Sequence, residues 1–194
     1  MDISGIILAG GKSSRMGKDK ALLEIGGLTM LERVARVLSR VCSEIIVAGG
    51  NNTGSSFPGF KTVPDIHSGC GPLCGLHAGL TAAKNNFSFV LPCDLPFPNE
   101  KLIKRIIDSY EEGYDAIILK TGQYLEPLFS LYGKAYIRAA ESCINKGIYK
   151  VTAPLSLIRW KKVTVTPGEL PGLDKSLINV NTPEDYEEAK KVNN

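Results

Sequence analysis

The stretch from Leu8 to Lys20 sets Gly10, Gly11 and Gly17 among Lys12, Arg15, Lys18 and Lys20, with Asp19 the single acid. Glycines let backbone N–H groups approach phosphate oxygens with no Cβ in the way. An arginine such as Arg15 can fork onto a phosphate, and a lysine such as Lys20 can act on it as a point charge. The whole chain has a formal charge of +3, and this loop holds all of the excess. A glycine-rich basic loop directly after an apolar run (Ile3 to Ala9) points to an anion site rather than to a solvated basic turn. Two familiar phosphate motifs do not fit. A Walker A loop ending at Gly11-Lys12-Ser13 would need glycine at Ile6, and Gly10-Gly11 lacks the GxGxxG spacing of a dinucleotide fingerprint.

Two carboxylates follow apolar segments. Asp94 lies between Pro92 and Pro96 after the strongly apolar Phe87 to Leu91. Prolines stiffen such a turn, and a hard oxygen ligand suits Mg²⁺. The competing role, capping the next helix, is open to other residues near 99, so a metal role is favoured. Asp65 follows a short strand, and on spacing alone it reads equally as a turn former or as a site carboxylate. Cys70 and Cys74 read as small apolar thiols in a turn and a helix rather than as metal ligands.

These residues need a scaffold. Strands are expected at Ile3–Ala9, Ser43–Ala48, Lys61–Val63, Phe87–Leu91, Tyr114–Leu119, 124–132, 156–166 and Leu177–Val180. Helices are expected at Thr29–Cys42, Pro72–Lys84, Glu100–Glu112, Ala135–Lys146 and from Thr182 onward. Thr29 reads as an N-cap, and Thr182-Pro183-Glu184-Asp185 as a capped helix start with proline at its first position. The alternation predicts a three-layer α/β fold around a mostly parallel twisted sheet. In such sheets ligands bind beyond the carboxyl ends of the strands. The 10–20 loop, the 48–51 loop, residues 65–71 and residues 92–96 all follow strand ends, so they are expected to form one site.

With 194 residues, the chain reads as one domain able to bury a core without disulfide or metal staples. Hydrophobic residues make up 43% and charged residues 22%, which excludes a disordered chain. The mild charge does not predict nucleic-acid binding. No apolar run is long enough to span a membrane, and the first residues lack the basic region of a signal peptide. Five cysteines with no CxxC pair fit reduced thiols in a cytoplasm.

Residues 8–20 resemble the signature LAGGxSxRMGxDK of molybdenum cofactor guanylyltransferases. Further segments match in order: Pro64-Asp65 with Gly71-Pro72-Leu73-Cys74-Gly75-Leu76, then Pro92-Cys93-Asp94-Leu95-Pro96, then Asn179-Val180-Asn181-Thr182-Pro183-Glu184-Asp185. The matches span almost the whole chain. The resemblance implies a Rossmann-like nucleotidyltransferase fold, with residues 1–119 binding GTP and 120–194 binding molybdopterin within one domain. It implies transfer of GMP from GTP to the terminal phosphate of molybdopterin, with release of pyrophosphate. Leu8, Ala9, Gly10, Gly11, Arg15, Lys20, Asp65 and Asp94 would bind the nucleotide, and Asp94 would hold Mg²⁺. Arg15, Lys20 and Asp94 would carry the catalysis, and Lys150, Asn179 and Asn181 would face the pterin substrate. A phosphate nucleophile is already ionised, so His67 and His77 need no catalytic role. Partners beyond the substrates would be molybdoenzymes or cofactor-delivery proteins, and the chain would be a monomer or weak oligomer.

Two departures stand out. Where the family places an asparagine after the second strand, this chain has Ala48, with Asn51 and Asn52 as nearby substitutes. Where the family often has two arginines, it has Tyr149 and Lys150. A cytidylyl or sugar-1-phosphate transferase and a non-catalytic nucleotide-binding adaptor of the same fold are the competing readings.

Overall fold

A computed structural model describes residues 1–10, 20–49, 60–166 and 168–192. Nine strands and six helices are described: β1 Ile3–Leu8, β2 Glu24–Ile25, β3 Leu28–Thr29, α1 Met30–Leu38, β4 Glu44–Ala48, β5 Lys61–Val63, α2 Pro72–Ala82, β6 Phe87–Pro92, α3 Glu100–Asp108, β7 Ala116–Thr121, β8 Tyr124–Gly133, α4 Ala135–Asn145, β9 Trp160–Val165, α5 Leu173–Ser176 and α6 Pro183–Val192. Seven strands form one sheet in the order β5-β4-β1-β6-β8-β7-β9, and β2 and β3 form a separate small ribbon. Within the large sheet, β8 alone runs antiparallel to its neighbours.

The alternation of side chains along each strand explains the three layers. In β1, Ile3 and Ile7 face one side, where α1 and α3 contribute Leu31, Val34, Leu38, Leu102, Ile103 and Ile106. Ile6 and Leu8 face the other side, against Leu73, Leu76 and Leu80 of α2 and Tyr136 and Ala140 of α4. Both faces are covered, so the strand is a continuous apolar run. Each fully buried leucine or isoleucine in these layers contributes ~1.5–3 kcal/mol.

Local signals place the elements. Thr29 caps α1 through a complete capping box with Glu32, and Asn99 caps α3 by accepting from the amides of Lys101 and Leu102. In β8, Pro127 sits in the stretch where the ladder with β7 shifts register between Ile118 and Leu119. There the Ser130 hydroxyl accepts from the Leu119 amide at 3.1 Å and donates to the Glu126 carbonyl at 2.7 Å. A bulge is one of the few places a proline fits inside a sheet.

Three expectations need correction. Leu177–Val180 is not a strand: a helical turn, α5, precedes it, and Val180 is tied to the sheet by one bond from its amide to the Asp94 carbonyl at 2.9 Å. The first two residues of the expected 156–166 strand belong to a 3-10 turn over Ala153–Leu157. Cys70 and Cys74 are not set apart in the turn and the helix, because their side chains are brought together as a close pair. The pair is local, closing a turn into α2, which is why it leaves no framework pattern in the cysteine spacing. Among the described residues, no helix is long and apolar enough to cross a membrane.

Candidate active site

Six of the seven strands share one direction, so their carboxyl ends line one rim of the sheet. Backbone bonds close that rim: the Ala9 amide donates to Ala48 at 2.9 Å, Cys93 to Leu8 at 3.0 Å, and Gly49 to Val63 at 3.3 Å. Gly49 has φ +93°, and a Cβ there would stand 3.0 Å from the Gly10 nitrogen. Only glycine lets β4 end so close to the start of the basic loop.

Asp65 and Asp94 open onto this rim. Each is partly buried, and the Oδ1 of each is buried with no hydrogen-bond partner among the described residues. Asp65 Oδ1 would be 3.6 Å from a Cβ at Gly49 and 3.6 Å from one at Gly75, so it occupies the notch between the end of β4 and the first turns of α2. Burial pushes the Asp65 carboxyl up. Burial also pushes up Asp94, and the charge of Lys20 partly offsets it. A buried carboxylate oxygen without a donor is costly unless a ligand or ion completes it.

Lys20 donates to Asn181 Oδ1 at 2.8 Å. Asn181 adjoins Val180, whose amide is bonded to the Asp94 carbonyl. Lys20, Asn181 and Asp94 are therefore held together across a large sequence separation. A small third core secures them: Ile25 and Met30 pack with Val180 and with Ala189 of α6. Asp185 caps α6 by accepting from the Asn181 and Thr182 amides, both at 2.8 Å. The expected start of that helix at Thr182-Pro183 is therefore the observed one.

Leu8 is buried, Ala9 is partly buried and Gly10 is exposed at the rim. Gly11, Lys12, Arg15, Asn51 and Asn52 lie outside the described residues. Ala48 is fully buried, and its Cβ would meet a Cβ at Gly79 at 3.2 Å. Position 48 therefore faces α2 and offers the rim only its backbone. Asn179 is exposed beside buried Val180. Lys150 is exposed, on a segment anchored by the bond from Tyr136 Oη to the Val151 carbonyl at 2.5 Å. No hydrogen bond or ion pair between described residues joins Lys150 to Lys20, Asp65, Asp94 or Asn181. His77 is buried against Glu141 at 3.2 Å and His67 at a ring distance of 5.3 Å, outside this group.

Sequence reasoning missed Arg33. Its Nε donates to the Pro96 carbonyl at 2.9 Å, and a second guanidinium nitrogen donates to the Ile25 carbonyl at 2.8 Å. It lies over the Phe97 ring at 5.0 Å. Arg33 thus pins the turn after Asp94 to the β2–β3 ribbon. A single arginine beside the apolar stripe of α1 carries no signal of that contact.

An open, mostly parallel sheet with two carboxylates at its carboxyl rim, each with one buried oxygen unpartnered among the described residues, and a lysine held near one of them belongs to the nucleotide-binding α/β class. Residues 5–163 match the MobA-like NTP transferase domain. The chain is 39% identical over 191 residues to the probable molybdenum cofactor guanylyltransferase of Pelotomaculum thermopropionicum, covering 98% of this chain and 93% of that one. The crystal structure of molybdopterin-guanine dinucleotide biosynthesis protein A from Archaeoglobus fulgidus superposes with a TM-score of 0.80 at 26% identity, covering 98% of each chain. The 2-C-methyl-D-erythritol 4-phosphate cytidylyltransferase of Thermus thermophilus, at 18% identity and a TM-score of 0.72 over 100% of this chain and 99% of that one, shares the fold alone. The chain belongs to the MobA-like NTP transferase family and is a nucleotidyltransferase.

Proposed function

We propose that the protein transfers GMP from GTP to the terminal phosphate of molybdopterin, releasing pyrophosphate and forming molybdopterin guanine dinucleotide. The observation that carries the reading is that Oδ1 of Asp65 and Oδ1 of Asp94 are buried with no hydrogen-bond partner among the described residues, with the Lys20 charge acting on Asp94. The names of the full-length relatives supply the substrates.

In the reaction, an oxygen of the molybdopterin phosphate attacks the α-phosphorus of GTP, and the bond to the β-phosphate breaks. That oxygen is already anionic, so the protein must position the two reactants and neutralise charge rather than remove a proton. Leu8, Ala9, Gly10 and Gly11, with Arg15 and Lys20, cradle the nucleotide phosphates. Asn181 holds the Lys20 ammonium at the rim, and Asp65 contacts the nucleotide from the notch between β4 and α2. Residues 1–119 form the GTP half and 120–194 the molybdopterin half, where Lys150, Asn179 and Asn181 serve the second substrate.

Asp94 fits a divalent cation, for which we propose Mg²⁺. Among the described residues, no three His, Cys, Asp or Glu side chains gather as a complete cage. Mg²⁺ does not need one, since it takes one or two carboxylates and fills its shell with phosphate oxygens and water. Bound there, it would stabilise charge on the departing pyrophosphate.

The test is pyrophosphate release with molybdopterin and each of GTP, CTP and ATP. GTP with Mg²⁺ is expected to be used far better than the others. Equal or better use of CTP would overturn the guanylyl assignment, and no release with any nucleotide would favour an adaptor.

A further inference from the structure

Residues 64–70, which carry Asp65, make few polar ties to other described residues. No hydrogen bond between described residues holds this segment. Its side-chain ties to described residues include the His67 ring against His77 and the close pair of Cys70 and Cys74. The two cysteines have a Cα separation of 5.4 Å, within the range a disulfide spans without backbone movement. Cys74 lies in the first turn of α2, beside Gly75, the residue that faces Asp65 Oδ1. The bond therefore fastens one wall of the Asp65 notch to the other.

We propose that Cys70 and Cys74 are a redox modification site that gates nucleotide affinity. Oxidised, the pair holds Asp65 in the notch. Reduced, the segment loses this covalent tie and the notch loosens. The gating rests on the nucleotide reading given above, whereas the pairing does not.

The oxidant class is a low-molecular-weight disulfide. One cysteine, as thiolate, attacks a sulfur of the disulfide, forming a mixed disulfide and expelling one thiolate. The second cysteine attacks the protein sulfur of that mixed disulfide and expels the other thiolate. Two protein thiols lose two electrons and two protons, and one small disulfide becomes two small thiols. Both protein sulfurs are buried, yet Ser68, Gly69, Gly71 and Pro72 around them are exposed. Gly69 and Gly71 have φ of +80° and +60°, conformations that glycine leaves readily, so the turn can open to a small reagent. Cys42 is unsuited to the role, because burial pushes its thiol up to about 12 and keeps it protonated.

The experiment uses the full chain equilibrated with oxidised or reduced glutathione. Unpaired thiols are blocked with one alkylating reagent, and newly reduced ones are then marked with a second and mapped by mass spectrometry. GTP affinity with Mg²⁺ is measured by calorimetry on the same samples. Expected are a second label on Cys70 and Cys74 alone and a GTP affinity about fivefold higher in the oxidised sample. The double variant Cys70→Ser/Cys74→Ser, checked by circular dichroism, is expected to match the reduced protein in either buffer. Alkylation of all five cysteines by the first reagent after oxidation overturns the pairing. Protection of the pair in the reduced protein by stoichiometric zinc overturns it as well. A GTP affinity blind to redox state overturns the gating alone, whereas absence of GTP binding in both states overturns the nucleotide reading and the gating together.

Discussion

The two ends of the central strands treat their carboxylates in opposite ways. At the amino end, fully buried Ser4 donates to Glu44 Oε1 at 2.5 Å, and the same oxygen accepts from the Lys84 amide at 2.6 Å. Asn85 donates to Ser4 at 3.1 Å and to Ser43 at 2.9 Å. Lys134 closes the end of α2 by donating to the Leu80 and Ala83 carbonyls at 2.7 and 2.6 Å. Burial works against the Glu44 charge, but the Ser4 hydroxyl, the Lys84 amide and the charges of Lys61 and Lys84 outweigh it, so its carboxyl lies below the usual range. At the carboxyl end the same burial prevails, and Asp65 and Asp94 lie above that range. At the amino end the chain supplies donors to its buried carboxylate. At the carboxyl end Asp65 Oδ1 and Asp94 Oδ1 have no donor among the described residues, as where a fold gives up stability for function.

The largest expected effect falls on Asp94. Asp94→Ala should lower the rate of pyrophosphate release by at least about 10²–10³-fold, the scale of losing one preorganised electrostatic contact. Its melting temperature should equal or exceed that of the parent, because the change removes a penalised charge. A large drop in melting temperature would erase the contrast between the two ends. Glu44→Ala should do the opposite, losing ~1–3 kcal/mol of stability in urea titration as Ser4 and the Lys84 amide lose their acceptor, with kcat unchanged.

Gly49→Ala should affect both properties. Its positive φ and its 3.0 Å approach to the Gly10 nitrogen should cost about 1–3 kcal/mol in urea titration. It should also weaken GTP binding in calorimetry. Asn181→Ala should be milder, raising KM for GTP by a few fold as Lys20 loses its anchor, with the fold intact by circular dichroism.

The smallest effect is in pH dependence. Asp94 must be ionised to hold a cation, so GTP binding in the presence of Mg²⁺ should weaken on acidification at a pH above that of an ordinary aspartate. The stability signs are opposed. A raised carboxyl such as Asp94 contributes stability that is full below its unfolded value and lost as pH rises through the folded one. A lowered carboxyl such as Glu44 contributes stability that is present above its unfolded value and lost as pH falls through the folded one. Asp94→Asn should shift the acid limb of binding, and Glu44→Gln should shift only the acid limb of unfolding.

Much of the fold that builds this contrast is legible in the sequence. The apolar runs at β1, β4 and β6 read as strands because burial on both faces demands it. Thr29 and Thr182 read as helix starts because capping is a local matter of a hydroxyl and an acid three residues on. Leu177–Val180 was misread because its apolar residues serve a corner: Val180 fills a small core under α6 rather than a ladder. The close approach of Cys70 and Cys74 is not legible because it depends on how the chain turns between them, which spacing does not determine.

By itself, the sequence determined the fold class, most of the long strands and helices and the strand-end position of Asp94, which follow from local propensity and periodicity, whereas the family was legible only as a resemblance of motifs such as residues 8–20. Only the tertiary structure decided that Lys20 is held by Asn181, that Asp65 occupies the notch between Gly49 and Gly75, and that Arg33 secures the turn after Asp94. These contacts join residues far apart in sequence, and their energies depend on burial and orientation, which exist only once the layers have packed.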